Sequence, residues 1–499
     1  MQKKVVIIGS GFAGLSAASF MAKEGFEVTV LEKHETPGGR ARQLKEAGFC
    51  FDMGPSWYWM PDVFERYFAC FGKKVEDYYS LTRLDPSYRI IWPDGDTDIP
   101  ADLSELKKLF NSWEPGAGKQ LDAFLEEAEF KYKTGMEKLV YKPGLSIFEF
   151  ADTDILKGLL RMDVFSSMKK HIHKYFRHHR IRQLLEFPVL FLGALPEKTP
   201  ALYSLMNYAD IIGGTWYPEG GMFSIVKGMY RLALELGVNF KFNEAVTRIG
   251  MVKDRAKMVS TNKSDYEADA IIGSADYHFI ENQLLPKGFQ SYSEDYWDKR
   301  LMAPSCLLYY VGLNKKLKNV LHHNLFFDTS FETHGKEIYT TKTWPAEPLF
   351  YVSVNSITDP QAAPEGCENL FFLIPVAAGL EGDDEVLREK YFDKILERFE
   401  KHAGEPVKGN IIYKRSFAVS DFITEYNSFK GNAYGLANIL MQTAVLKPRC
   451  RSRKIKNLFY TGQLTVPGPG VPPSLISGEV VAGVASSFLK KAGHDLTHH

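Results

Sequence analysis

The chain has 499 residues, more than one hydrophobic core usually supports, so two or more domains are expected. It is 45% hydrophobic and 24% charged with a formal net charge of zero, the make-up of a water-soluble globular protein; without a basic surplus to neutralise phosphates, nucleic acid is excluded as a main partner. The five cysteines, Cys50, Cys70, Cys306, Cys367 and Cys450, are odd in number and form no CxxC or Cys/His cluster, which argues against a disulfide framework or zinc site and fits a reducing cytoplasm.

Met1-Gln-Lys-Lys precedes eighteen uncharged residues, Val5 to Ala22, a pattern that imitates a signal peptide. The same stretch also reads as strand, turn and helix. Val5-Val-Ile-Ile8 is a continuous apolar run of the kind that fills a buried parallel strand. Gly9-Ser-Gly11-Phe12-Ala13-Gly14 follows, then Leu15 to Lys23 as a helix, then Phe26 to Leu31 as a second strand ending in Glu32. This is a dinucleotide fingerprint in full context. Gly9 permits the tight turn, Gly11 lets backbone approach a pyrophosphate and Gly14 seats the helix on the sheet. Glu32 can accept from ribose hydroxyls, and the helix N-terminus offers N–H groups to phosphate.

The fingerprint alone does not separate NAD from FAD. Lys33-His-Glu-Thr-Pro-Gly38-Gly39-Arg40 then places two glycines and an arginine beyond the acid, a path for a long ligand beside a forked cation suited to phosphate. Asp52-Met-Gly54-Pro55-Ser56-Trp57 adds a further Gly-Pro turn and an aromatic. With these segments the chain resembles the flavoprotein family of amine oxidases, protoporphyrinogen oxidases and carotenoid desaturases. The resemblance implies an α/β architecture, a Rossmann-like FAD-binding domain with a substrate domain of mixed sheet plus helices, as in the amine oxidase and GDP dissociation inhibitor-like fold. It implies FAD laid across a domain built from separated stretches, 1–79, 216–294 and 431–499, with 80–215 and 295–430 forming the substrate domain.

The return stretches are visible. Tyr217-Pro-Glu-Gly-Gly-Met222 leads into a helix from Phe223 to Leu236 with Gly237 as its cap, and Asn239 to Ile249 reads as one strand, in which the resemblance nominates Val246 beside adenine. Ala268 to Ala275 is a further buried strand. Asn457 to Thr461 is a short one closed by Gly462, followed by Thr465 to Pro473, where six of nine residues are Pro or Gly. Pro472, Pro473 and Ser474 then open a helix with Ile476, Val480, Val484 and Phe488 as its buried stripe. Its N–H groups and dipole are expected to face the flavin pyrimidine edge. Of the two intervening blocks the first reads as mostly helical; in the second, Leu307–Leu313, Leu349–Val354 and Leu370–Val376 read as strands of one wall.

Tyr351 to Gly366, with Thr358-Asp359-Pro360 and Ala363-Pro364-Glu-Gly366, is similar to a signature of bacterial carotenoid desaturases, and His322 to Phe327 resembles another of their segments. Physically these two turns are only turn chemistry. The resemblance implies a desaturase that passes hydride from a C–H bond to flavin, delocalises the cation over a polyene and releases a proton to a weak base, with oxygen or a quinone as electron acceptor. It leans to 3,4-desaturation of a 1-hydroxylated gamma-carotene-type substrate. Phytoene desaturase is the alternative, then an amine or porphyrinogen oxidase, or a prenyl-protein carrier without redox chemistry. No residue stands out as a catalytic base, metal ligand or nucleophile.

A lipid substrate implies a peripheral membrane enzyme. Residues 164–185 hold six Lys/Arg, four His and no acid, and Leu184 to Leu195 is nearly all apolar, so 164–195 is the candidate membrane-facing part.

Overall fold

A computed structural model of the chain describes residues 2–150, 166–190 and 193–494. The strands Lys4–Ile8, Glu27–Leu31, Asn239–Lys241, Ala270–Gly273 and Leu458–Tyr460 form a parallel sheet. Their spatial order runs Leu458–Tyr460, Ala270–Gly273, Lys4–Ile8, Glu27–Leu31, Asn239–Lys241. The chain thus adds strands first to one side of Lys4–Ile8 and later to the other. A crevice opens outside the carboxyl ends of Lys4–Ile8 and Ala270–Gly273, where the winding direction reverses. Val5, Val6, Ile7 and Ile8 are buried, and the helix Phe12–Lys23 covers them, so the uncharged run from Val5 to Ala22 is interior sheet and helix.

The C-terminal helix Val471–His494 crosses the helix Phe12–Lys23 at backbone distance. A Cβ on Gly478 would lie 2.4 Å from the Ala13 carbonyl oxygen, and the Ser16 hydroxyl donates to Leu475 O at 2.7 Å. Glycine at 478 is therefore what lets the last helix close on the first.

A seven-stranded mixed sheet forms the second layer, in the order Ile411–Phe417, Ser305–Leu313, Glu368–Val376, Phe350–Ser353, His323–Phe326, Tyr88–Trp92, Gly95–Ile99. All its pairs are antiparallel except His323–Phe326 against Tyr88–Trp92. Alternate residues serve opposite faces. Leu307, Tyr309, Val311, Leu370, Phe372 and Val352 pack with Ile395, Leu396 and Phe399 of the helix Glu385–Ala403. Cys306, Leu308, Tyr310, Tyr351, Phe371 and Leu373 face the other way, into the core shared with the helical block.

Two local expectations are corrected. The helix after the glycine loop starts at Phe12, three residues before Leu15. Asn239 to Ile249 is two strands in different sheets, because Asn243 takes φ 53° and turns the chain; Val246–Val252 joins Arg255–Thr261 and Asp265–Glu267 in an antiparallel sheet. The described part of 80–215 is mostly helical, as expected, with the hairpin Tyr88–Trp92 and Gly95–Ile99 extending the mixed sheet.

Gly478→Ala is expected to destabilise the protein by about 1–3 kcal/mol through the enforced helix separation, whereas Gly483→Ala on the same helix, with open space at its Cβ position, is expected to leave the thermal midpoint unchanged or slightly raised. Differential scanning fluorimetry of the two variants checks the contrast.

Candidate active site

One cavity of about 590 Å³ runs from the parallel-sheet crevice to the inner face of the mixed sheet. Its first half is backbone. Gly9 turns at φ +98° with its Cβ position 3.2 Å from Ala275 N, and Gly39, at φ +54°, has its Cβ position 3.4 Å from Gly11 Cα. Gly38 N donates to Ser10 O at 2.9 Å, and a Cβ on Gly54 would lie 2.8 Å from Arg40 O. Four loops therefore meet edge to edge, at a separation that a Cβ at Gly54 would violate and a backbone angle at Gly9 that side chains rarely adopt. Gly14 does not line the cavity; its Cβ position falls 2.1 Å from Gly9 O, so its role is to seat the helix.

The Cβ position of Gly11 meets nothing within 4 Å, and Gly11 caps the helix Phe12–Lys23 without a side-chain bond. The first N–H groups of that helix, at Phe12 and Ala13, thus face an open cradle, the electropositive end of the helix dipole. Glu32 is buried beside it. Its Oε2 accepts from Ser10 N at 2.9 Å and the Ser10 hydroxyl at 2.6 Å, and its Oε1 from His34 N at 3.0 Å. These donors fix the carboxylate and leave further lone pairs for a ligand hydroxyl.

Arg40 lines the cavity with Nη2 3.0 Å from the Ser428 hydroxyl and 3.3 Å from Asn432 O, while its buried Nε has no partner. Asp276 stands nearby; burial raises its carboxyl, and the Arg40 charge opposes that rise. Lys33 also lines the cavity, but its ammonium is tied to Thr424 O at 3.0 Å. Pro55, Ser56, Trp57, Val246, Ala275 and Gly462 all lie on the wall, together with Pro472, Pro473 and Ser474.

The start of the last helix differs from expectation. Pro472 and Pro473 carry no N–H, and Ser474 N donates to Gly470 O at 3.0 Å. Val471 is then the one residue among the first four of the helix with an N–H left to offer. Gly462 N is itself bonded to the Ser477 hydroxyl at 3.0 Å, which anchors the turn to the helix.

The second half of the cavity is apolar and aromatic: Trp57, Trp59, Met60, Pro188, Met206, Leu308, Leu373 and Phe422, with Cys306, Tyr351 and Tyr434. A smaller cavity of about 40 Å³, walled by Phe187, Leu325, Phe327 and Ile338, shares Tyr351, Leu373 and Tyr434 with it. Two buried polar assemblies brace the wall. Asp52 accepts from Met222 N at 2.8 Å and Phe223 N at 3.2 Å, capping the helix Phe223–Glu235; burial pushes its carboxyl up to about 7, against those two donors. Asp210 accepts from the Tyr88 and Thr215 hydroxyls at 2.8 and 3.2 Å, and Thr215 accepts from Trp59 Nε1 at 2.9 Å.

Thr358 and Asp359 do more than turn the chain. Thr358 Oγ1 lies 2.7 Å from His322 Nδ1, and Asp359 Oδ2 accepts from the Tyr217 hydroxyl at 3.0 Å and Gly220 N at 2.9 Å. They tie the mixed sheet to the loop that starts the helix Phe223–Glu235.

The basic stretch forms two short helices, Met168–Tyr175 and His179–Leu190. Met168, Ile172, Phe176, Ile181, Leu184, Leu185, Phe187 and Val189 are buried in the core, and of this stretch Pro188 reaches the large cavity and Phe187 the small one; Val164, Phe165, Phe191 and Leu192 lie outside the described residues. Lys169 pairs with Glu197 at 2.5 Å and Arg180 with Asp94 at 2.6 Å, leaving Lys170, Lys174 and Arg177 as the exposed cations. Among the described residues no helix is long and apolar enough to cross a membrane.

Sequence reasoning missed Asp276, Glu244 and Tyr351 as wall residues. Asp276 carried a signal, an acid just past a buried parallel strand as Glu32 is; Tyr351 carried none, because its place depends on sheet pairing across distant segments.

Residues 12–484 match the family described as flavin containing amine oxidoreductase. The chain is 41% identical over 480 residues to a carotenoid 3,4-desaturase of Haloarcula japonica, covering 96% of this chain and 97% of the relative. It is 31% identical to a zeta-carotene-forming phytoene desaturase of Myxococcus xanthus, covering 96% and 93%. Among solved structures, an oxidoreductase from Methanosarcina mazei superposes with a TM-score of 0.63 at 16% identity over 96% of this chain and all of the other, a likeness of fold. The chain thus belongs to the flavin-containing amine oxidoreductases, within their group of carotenoid desaturases.

Proposed function

We propose that the protein is an FAD-dependent carotenoid desaturase that introduces a carbon–carbon double bond next to an existing polyene, with 3,4-desaturation of a 1-hydroxylated gamma-carotene-type substrate as the leading reading. The observation that carries it is the single cavity joining the cradle at Gly9, Gly11 and Arg40 to a chamber walled by Trp57, Trp59, Leu308 and Leu373. The 41% identity to a carotenoid 3,4-desaturase supports the choice of bond. Phytoene desaturation is the second reading, supported by the phytoene desaturase relative.

The open Cβ position of Gly11, the uncapped helix start and the unpartnered Arg40 Nε fit an extended dinucleotide carrying negative charge. In this reading the helix start at Phe12 and Ala13, with Arg40, holds the pyrophosphate, Glu32 the ribose and Val246 the adenine, while Gly38, Gly39, Gly54 and Pro55 flank the chain of the cofactor. Ser56, Trp57, Ala275, Gly462 and the turn of Pro472, Pro473 and Ser474 border the ring. A bound FAD supplies hydride-accepting chemistry, with oxygen or a quinone as the final acceptor. The residues of the apolar half orient the polyene and exclude water, so that a cation on the substrate is lost by proton release rather than by hydration.

We also propose peripheral attachment to an anionic membrane through the exposed Lys170, Lys174 and Arg177, of which Lys170 and Lys174 border a surface cleft with Ser167 and His173.

Three measurements test this reading. Gly11→Val should leave thermal stability of the apoprotein near wild type, since its side chain enters open space, but should abolish flavin content read at 450 nm (roughly a hundredfold weaker binding, by the close backbone approach the fingerprint requires); retained flavin overturns the cradle assignment. Incubation with phytoene and with a 1-hydroxylated gamma-carotene should lengthen the chromophore of the second alone; a longer chromophore from phytoene transfers the assignment to phytoene desaturation. Replacing Lys170, Lys174 and Arg177 with Gln should weaken partitioning onto anionic vesicles by about a hundredfold at low salt, at about 1 kcal/mol per cation, with flavin content unchanged; equal sedimentation removes the membrane proposal.

A further inference from the structure

The start of the last helix leaves little positive potential beside the cavity. Pro472 and Pro473 have no N–H and Ser474 N is bonded to Gly470 O, so of the first four residues only Val471 has an N–H to offer. A cation lies behind the loop that leads into this helix. Lys447 is 3% exposed, and its Nζ has Asn438 Oδ1 at 3.2 Å as its hydrogen-bond partner. A Cβ built on Gly468 would lie 3.2 Å from that Nζ and 3.2 Å from Asn438 Oδ1, so the amine rests on backbone with no side chain between. Pro469, Gly470 and Val471, the next residues of the same loop, line the large cavity, and Lys447 does not. The loop therefore stands between the amine and the cavity.

Lysine is rarely buried without an acid beside it. The described segments round Lys447 supply none. Gly144 packs on Ala444 and Val466, and close to it the Glu149 carboxylate is taken up by the N–H groups of Gly144, Leu145 and Ser146. Cys450 has its Sγ 3.4 Å from Pro143 O, and Lys142 and Arg449 are cations themselves. None of these groups shifts the amine: burial alone pushes the Lys447 ammonium down, to about 7. A side chain so placed responds to charge that arrives across the loop, because a dry interior screens weakly.

We propose that Lys447 is a positioning residue for the flavin: its ammonium, held behind Gly468, supplies the positive charge that the proline-blocked helix start lacks and favours the reduced cofactor over the oxidised one. This rests on the reading that the cavity holds FAD with its ring at this loop. Delivery of a hydride, two electrons and one proton, adds one net negative charge at the ring. Where the Lys447 amine is neutral beforehand, a proton that it takes from solvent balances that charge; where it is already an ammonium, it meets the new charge directly. No proton transfer to the substrate is assigned to it.

The test is the two-electron midpoint potential of the bound flavin, measured by reductive titration against redox dyes in wild type and Lys447→Met reconstituted with FAD. At about pH 6, below the point where the amine loses its proton, Lys447→Met should weaken the preference for reduced over oxidised flavin by roughly tenfold, the effect of one charge acting through a layer of backbone at an effective dielectric of about 20. For a two-electron couple that is a fall of about 30 mV. The gap should close by about pH 9, where the wild-type amine is neutral whichever state the cofactor is in. Equal potentials at both pH values overturn the inference, and so does a gap of the same size at both, which marks a structural effect without a titrating charge. Should Lys447→Met not retain flavin, Lys447→Gln, which keeps a donor for Asn438, carries the same expectation, and equal potentials in it are as decisive against. Equal potentials in proteins that hold flavin remove this inference alone; wild type that takes up no flavin on reconstitution removes the FAD reading with it.

Discussion

Backbone meeting backbone is the constraint on which the rest of this structure depends. At Gly14 against Gly9, Gly54 against Arg40 and Gly478 against Ala13, the space a Cβ would need is taken by a carbonyl oxygen. These contacts bring residues near position 10, 40, 54 and 478 into one place, and the cradle exists because they close. Side-chain packing elsewhere tolerates adjustment; a carbonyl oxygen 2.1–2.8 Å from a would-be methyl does not. The last helix is thus not an appendage. It seals the crevice that the first strand, turn and helix open.

The mixed sheet solves a different problem. Its period of two gives one face to the helix Glu385–Ala403 and the other to the cavity, so a single set of strands supplies both a core and a chamber wall. Buried polar braces hold the wall in register. Asp359 links it to Tyr217 and Gly220, and Asp52 ties the Gly54-Pro55 turn to the start of the helix Phe223–Glu235. The Asp52 carboxyl titrates near 7 because burial outweighs two backbone donors. Unfolded, it would ionise in the ordinary carboxylate range, so this group lowers stability as pH rises from that range to about 7, and no further above it.

The cationic segment shows how composition misleads when packing is unknown. Its aromatics and aliphatics suit a membrane surface on paper, yet Ile172, Phe176, Ile181 and Leu185 are interior, and Arg180 lies over the Trp92 ring while paired with Asp94. Among the described residues, Lys170, Lys174, Arg177 and His179 are what remains outward. An electrostatic attachment needs no more than that, but an inserted apolar face is not on offer from these side chains.

The glycine loops were legible because their requirements are local. Strand, Gly9, Gly11, Gly14, helix and Glu32 follow one another within thirty residues, and each answers to a backbone angle, a missing Cβ or a strand end. Gly38, Gly39, Arg40 and Gly54 were legible for the same reason. The break at Asn243 was not, because a positive φ at an asparagine is a choice made by the sheets on either side. Nor was the loss of donors at Pro472 and Pro473 weighed, since only the bond from Ser474 N to Gly470 O shows how few remain. Sequence by itself thus determined the parallel-sheet core, the glycine loops at its edge and the family. Tertiary structure decided which aromatic rings wall the chamber, where Tyr351, His323 and Trp57 meet, and which cations stay exposed. The physical reason is distance along the chain: turns and caps are set by neighbours a few residues apart, whereas a chamber is set by side chains some three hundred residues apart, from Trp57 to Tyr351, which meet only after the sheets have paired.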